Sequence, residues 1–237
     1  MLHIGLSGYD YKEWQGEGLF YPADLKKAKY FEYYATRYNS LESNGTFQRI
    51  PTEGTVAKWI DNTPEGFTVS PKMVQNVTHF KRLGPEAIEI AEDFVRVLEP
   101  LALAGKLGPI FLQLPPNLKR DDDRLRTFLD SMPGGKRWAI EFRNESWNAP
   151  DVHQFLRERN IAWVIAETDE EPVEIIETAD FNFIRMRKID YTESEIDSWI
   201  TRLEIMISGG KACFVYCRHK DTDGPWRWAD QIKNALL

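Results

Sequence analysis

The chain has 237 residues, 42% hydrophobic and 28% charged, enough apolar material for a sizeable core. No window reaches the apolar length of a membrane span, and a net charge of -7 argues against a general nucleic-acid or anionic-membrane binder while leaving room for a local basic site. An aromatic content of 13%, with 8 Trp, points to a tight core or a ring-lined pocket.

Both cysteines, Cys213 and Cys217, fall in one apolar run. In extended backbone their Cα atoms lie about 13 Å apart, too far for a disulfide, and reduced core thiols are expected. Met1-Leu2-His3 runs straight into Ile4-Gly5-Leu6 with no leader pattern, so a cytoplasmic address is expected.

Residues 2–8 read as a short buried strand ending in glycine, followed by a long aromatic and Gly-rich loop to Pro22. A helix is expected over 25–38, with Ala28, Phe31, Tyr34 and Ala35 as its inner stripe. Strand 40–44, helix 52–62 and strand 66–72 follow, then a polar loop carrying Thr78 and His79. A long helix is expected over 84–104, a strand over 110–114 stopped by Pro115-Pro116, and a helix over 121–132 with an acidic first turn.

In the stretch 137–143, Trp138, Ile140 and Phe142 share one strand face, and Ala139, Glu141 and Arg143 the other. A Glu and an Arg side by side at a strand's C-terminal end suit the floor of a site better than a packed interior. The chain then reads as helix 150–160, strand 162–167, a weaker acidic helix near 172–178 and strand 182–187. Helix 193–208, strand 212–217 and helix 225–237 complete it.

Eight strands alternating with helices predict an α/β protein with a parallel sheet, a single (β/α)8 TIM-type barrel as one domain over 1–237. An open doubly wound sheet is the competitor, weakened because no Gly-x-Gly-x-x-Gly follows the first strand.

A barrel gathers its functional groups at the C-terminal ends of the strands. Alternate residues there are Ser7, Glu42, Asn44, Ser70, Lys72, Gln113, Glu141, Arg143, Arg185, Arg187, Tyr216 and Arg218, with Glu167 or Thr168 on strand six. Lys72, Arg143, Arg185, Arg187 and Arg218, with His79 and His219 nearby, outnumber the carboxylates they face. That balance suits a phosphate or carboxylate ligand. The plain alternative is an internal salt-bridge network of Glu141 with Arg143 or Arg185. Glu42 or Glu141 is the candidate general base and His79 the candidate acid. Tyr11, Trp14, Tyr21 and Phe47 form a candidate lid or stacking wall, with ordinary loop packing the alternative. No motif indicates a cofactor; a divalent metal at Glu42, His79, Glu141 and Glu167 stays open.

Ser7-Gly8-Tyr9-Asp10-Tyr11-Lys12-Glu13-Trp14, Phe20-Tyr21-Pro22, Tyr34, Asn39, Glu42 with Asn44, and Thr46-Phe47 with Pro51 form an ordered pattern. It continues through Trp59, Thr63-Pro64, Phe67, Lys72, Thr78-His79, Gln113-Leu114-Pro115-Pro116 and Glu141-Phe142-Arg143 with Ser146-Trp147. The chain thereby resembles the YecE-like family, the domain of unknown function numbered seventy-two. The resemblance implies a TIM-type barrel and no particular reaction. It carries over Ser7, Tyr11, Trp14, Tyr21, Glu42, Asn44, Lys72, Thr78, His79, Gln113, Glu141, Arg143, Trp147 and Arg185 as site residues.

Two departures add positive charge: Arg185-Met186-Arg187-Lys188 where many members have His-Gly after the arginine, and Tyr216-Cys217-Arg218-His219-Lys220 where asparagines are common. The expected activity is an enzyme acting on an anionic substrate. A metal-dependent phosphodiester or nucleic-acid hydrolase and a non-catalytic binding module for a phosphorylated metabolite are the alternatives. The expected partner is a small anionic ligand or phosphodiester; nucleic acid is disfavoured by charge, and no membrane partner is expected.

Overall fold

The computed structural model describes residues 1–170, 173–218 and 224–237. Its first strand, β1 (Leu2–Leu6), leads through a 3₁₀ turn at Lys12–Trp14 to α1 (Tyr30–Arg37). Then come β2 (Ser40–Ser43), a short α2 (Gly45–Gln48), α3 (Glu53–Asp61) and β3 (Thr68–Pro71). A π-helical turn at Asn76–Phe80 replaces the expected polar loop and precedes α4 (Pro85–Val97), α5 (Glu99–Leu103) and β4 (Ile110–Gln113). The chain continues through α6 (Asp122–Ser131), β5 (Trp138–Glu141), α7 (Pro150–Glu158), β6 (Ala162–Trp163) and β7 (Ile165–Glu167). It ends with β8 (Phe181–Met186), α8 (Glu193–Ser208), β9 (Ala212–Cys217) and α9 (Pro225–Leu236).

The helix starts follow from capping chemistry. Thr52 accepts from the Thr55 amide and Asp121 from the Arg124 amide, and Thr192 with Glu195 forms a reciprocal capping box. Proline stands in the first turn of α4, α7 and α9, where its missing N–H is harmless. The long helix expected over 84–104 divides at Leu98 instead. Pro100 removes a helical donor and its ring would meet the carbonyl four residues earlier. No helix forms over 173–178: the Thr178 hydroxyl accepts from the Trp163 amide and donates to the Ile161 carbonyl, holding that segment alongside β6. Pro172, where that helix was expected to begin, lies outside the described residues.

All the strand pairs are parallel, and they fall into three sheets rather than one continuous ladder: β1-β9-β8-β7, β2-β3 and β4-β5-β6. The strand expected over 162–167 divides at Val164, which gives nine strands among the described residues instead of eight.

Single parallel bridges pair Ser7 with Glu42 and Lys72 with Phe111 across two of the sheet boundaries. Between β1 and β2, side chains stand in for ladder bonds. The Tyr34 hydroxyl accepts from the Leu6 amide at 2.7 Å and donates to the Ser40 carbonyl at 2.8 Å. Asn39 likewise bonds the Ile4 amide and the Leu2 carbonyl. Gly5 makes this close approach feasible, since a Cβ there would lie 1.9 Å from the Ser40 carbonyl oxygen.

Alternation sorts the strand residues into two apolar groups. Ile4, Leu41, Val69, Leu112, Ile140, Ile184 and Val215 pack in the large cluster that includes helix residues such as Phe94, Leu156 and Leu203. Phe111, Ala139, Ala162, Phe183, Phe214 and Tyr216 pack against one another in a second cluster. The Tyr216 hydroxyl on β9 bonds Ser40 and Ser70, each at 2.7 Å, so faces of separate sheets turn toward each other. Cys213 and Cys217 are free and buried. Among the described residues no helix is long and apolar enough to cross a membrane.

Candidate functional site

Beyond the second cluster, toward the C-terminal ends of β2, β3, β4, β5 and β8, the inward residues change from apolar to charged. Arg185, 2% exposed, lies at the centre. Its Nε and Nη2 donate to the two oxygens of Glu42, each at 2.8 Å, and its Nη1 donates to Glu141 Oε2 at 2.6 Å. Phe111 lies beneath the guanidinium, 4.6 Å from ring centroid to Cζ.

The second oxygen of Glu141 accepts from Gln113 Nε2 at 2.7 Å and from Arg143 Nε at 2.8 Å. With its amide nitrogen thus committed, Gln113 presents its oxygen to Lys72 Nζ at 2.9 Å. Lys72 lies over the Phe47 ring at 4.1 Å, and the edge of His79 meets the same ring at 5.0 Å. Thr78, fully buried, holds His79 Nδ1 at 2.9 Å. The chain leaves this turn through Arg82 and Leu83 at φ 50° and 59°, a left-handed conformation that side chains other than glycine's adopt only at a cost.

The shifts in proton affinity report the potential these groups share. Burial alone would raise the carboxyl of Glu141, but the charges of Arg185, Arg143 and Arg187 outweigh it and hold it at about 2. Glu42 is likewise lowered against its burial, chiefly by Arg185. Burial and then Arg185 push Lys72 down to about 8 and Arg187 down to about 10. Burial, Lys72 and Arg143 lower His79. Burial explains the bases but has the wrong sign for the acids, so the site carries an excess of positive potential. Four cations, Lys72, Arg143, Arg185 and Arg187, face the two carboxylates Glu42 and Glu141.

The salt-bridge network considered from the sequence is therefore present, and it involves both carboxylates at once. A carboxylate held at about 2 is a weak base near neutral pH, which argues against Glu141 as a general base. His79, lowered, is neutral there and better suited to accept a proton than to donate one. Glu167 is not part of the cluster: it accepts from Trp199 Nε1 at 2.7 Å and faces Lys188. Among the described residues no three His, Cys, Asp or Glu side chains are placed together to hold a metal ion.

Of the other expected binding residues, Ser7 hydrogen-bonds Glu42, and Arg218 donates to the Arg187 carbonyl at 3.3 Å. Asn44 and Tyr11 line a neighbouring cleft of about 430 Å³, with Tyr9, Arg49, Thr52 and Trp59 among its walls. Three expected residues do not reach the charged cluster. Trp14 and Tyr21 are buried among Phe20, Tyr30 and Trp226, the Tyr21 hydroxyl donating to the Tyr9 carbonyl. Trp147 is buried with its Nε1 on the Leu118 carbonyl. The single polar atoms of Tyr21 and Trp147 are thus satisfied by backbone, as is usual for large rings packed in a core. His219 lies outside the described residues.

Arg49 was not singled out from the sequence, and Trp59 entered only as part of the family pattern, not as a site residue. Arg49 lies just past α2, a turn whose four residues carry no hydrophobic period, and Trp59 has the spacing of an ordinary core residue in α3.

These features define an α/β protein of parallel strands that gathers a cation-rich cluster at the strand ends. A profile described as "Protein of unknown function DUF72" matches residues 3–237, and the chain belongs to that family. It is 27% identical to the UPF0759 protein YunF of Bacillus subtilis over 160 residues, 65% of this chain and 55% of that protein. It is 27% identical to the UPF0759 protein YecE of Escherichia coli over 174 residues, 71% of this chain and 60% of that protein. The chain thus spans little more than half the length of these relatives.

A DUF72 family protein of Thermotoga maritima superimposes with a TM-score of 0.85 at 24% identity, covering 100% of this chain and 99% of that one. One from Enterococcus faecalis does so at 0.76 and 19% identity, covering 100% and 97%. Both likenesses concern the fold.

Proposed function

We propose that the chain is an enzyme acting on a phosphate- or carboxylate-bearing substrate held at the C-terminal ends of its strands. In this reading the three sheets are consecutive arcs of one (β/α)8 barrel over residues 1–237. The bridges at Ser7–Glu42 and Lys72–Phe111 fall where such arcs would join. A cytoplasmic address belongs to the same reading.

One observation carries it. Glu42 and Glu141 are both spent on Arg185, so Lys72 and Arg187, two largely buried cations, have no ion pair among the described residues. An uncompensated buried cation is costly, and an arriving anion relieves that cost. Arg143 and Arg187 serve as the clamp with Lys72 beside them. His79 moves a proton, and Glu42 and Glu141 act as positioning groups that fix Arg185.

The test is calorimetric titration with inorganic phosphate, followed by a turnover screen of phosphorylated and carboxylated metabolites. Arg187→Gln should weaken phosphate about 10- to 100-fold, the worth of one charge-assisted hydrogen bond. Equal affinity in the variant and the parent would remove Arg187 from the site. Tight binding without turnover of any compound would leave a binding module instead.

A further inference from the structure

We propose that Lys72 is the nucleophile of this site, its Nζ condensing with the carbonyl carbon of a substrate that also carries a carboxylate or phosphate group. The inference rests on the anion-binding reading and adds the bond that is made.

Lys72 stands just past β3 at 8% exposure. Its hydrogen-bond partner is neutral, the Gln113 amide oxygen at 2.9 Å, and that amide is fixed in orientation because its nitrogen donates to Glu141. A carboxylate would hold the lysine as an ammonium; an amide oxygen positions it without supplying the charge that locks its proton. The two carboxylates at hand bond Arg185 instead. The amine also sits over the Phe47 ring at 4.1 Å and 5.6 Å from the Phe111 centroid.

Removal from water beside a second cation is how a lysine is prepared as a nucleophile toward carbonyl compounds. The amine titrates at about 8, lowered by burial and then by Arg185, so a useful fraction is neutral near physiological pH. The same arrangement explains why a lysine occupies this position, since a third arginine would serve a pure anion clamp better.

The step closes in atoms and electrons. The lone pair of neutral Nζ attacks the carbonyl carbon, a C–N bond forms, and the C=O π pair moves to oxygen. A proton passes from nitrogen to that oxygen, giving a carbinolamine. The C–O bond then breaks, hydroxyl leaves with the remaining N–H proton as water, and a C=N imine is left. No oxidant or reductant enters. His79, which shares the Phe47 ring with Lys72, is the neutral base available to relay the proton. Arg143 and Arg187 hold the anionic group.

The experiment is reductive trapping on the full chain. Protein is incubated with pyruvate or with dihydroxyacetone phosphate, reduced with cyanoborohydride, and mapped by tandem mass spectrometry; phosphate affinity is measured in parallel. One adduct per chain on Lys72 is expected, formed on the order of a hundredfold faster than on exposed lysines such as Lys12 and Lys119. The arm that reacts tells a 2-oxo acid from a phosphorylated ketone.

Lys72→Arg, which keeps the charge, should abolish the adduct and retain phosphate binding. Lys72→Met, checked for folding by circular dichroism, should also give no adduct. An unmodified Lys72 in protein that binds phosphate, or labelling no faster than at Lys12, overturns the inference and leaves the anion site standing. Failure to bind phosphate or pyruvate and to form an adduct overturns both.

Discussion

Arg185 and Arg187 are two residues apart, at the end of β8, and by strand alternation project to the same side. Arg185 makes three hydrogen bonds to two buried carboxylates, and its proton is held more tightly than in water. Arg187 is pushed the other way, to about 10, by burial and by Arg185 itself. Residue type is the same and the backbone is the same, so what separates them is who holds the carboxylates. Glu42 and Glu141 can neutralise the centre of the cluster or its edge, and the geometry gives them to the centre. The edge is left wanting an anion. A fully paired charge cluster is a structural device, and the underpaired cations around it are the groups to which the proposed function assigns the anion.

The largest expected effect tests the structural half. Arg185→Met leaves Glu42 and Glu141 buried and stripped of their main partner, and should cost about 3–5 kcal/mol in denaturant unfolding. A loss below about 1 kcal/mol would mean that water reaches the carboxylates and the centre is not sealed.

Lowering the pH attacks the same pair more gently. Glu141 falls from 4.5 in the unfolded chain to about 2 in the folded one, so the unfolded state binds more protons between these values. Its contribution is complete above pH 4.5 and is lost as pH falls toward 2. Glu141→Gln should flatten that part of the stability curve, and an unchanged acid limb would place the lost protons elsewhere.

The cationic edge should respond at the opposite end of the scale. Lys72 titrates at about 8 when folded and near 10.5 when unfolded. The unfolded chain therefore binds more protons over this window, and stability rises as pH climbs from 8 toward 10.5. Tyr34, Tyr38 and Tyr216, all raised mainly by burial, oppose this as unfolded tyrosines begin to ionise near pH 10. The difference between parent and Lys72→Met isolates the lysine. The parent should gain on the order of 1 kcal/mol relative to the variant between pH 7.5 and 9.5. Parallel curves would mean that Lys72 is as well solvated in the fold as outside it.

The Glu-Arg pairing was legible in the sequence as two polar residues on one face of an apolar strand, because strand alternation is a local property. Glu141 with Arg143 or Arg185 could be named as pairs, but that Arg185 holds Glu42 at the same time could not. Glu42, Glu141 and Arg185 come from β2, β5 and β8, and their distances depend on how three sheets pack. The π-turn that brings His79 to Phe47 has no simple period, so it read as a loop. Val164 interrupts a strand whose composition is continuous, because the Trp163 amide bonds the Thr178 hydroxyl, fifteen residues away. Tyr21 and Trp147, which read as binding walls from their place in a family motif, have their hydroxyl and indole N–H on backbone carbonyls, partners that a sequence does not display.

The smallest effect is expected where the geometry looks strongest. Arg120 joins Asp122 at 2.7 Å and also pairs with Asp151, so by distance alone this trio rivals the one around Arg185. Its carboxylates are 51% and 67% exposed, whereas those of Glu42 and Glu141 are 0% and 6%. In water the Coulomb gain is screened and offset by the entropy of fixing long side chains. Asp151→Asn should therefore leave the denaturant midpoint essentially unchanged, at low and at high salt alike. A loss comparable to that of Arg185→Met would show that contact geometry outranks burial in setting the worth of these pairs. The contrast between a sealed centre and an underpaired edge would then have to be rebuilt on geometry alone.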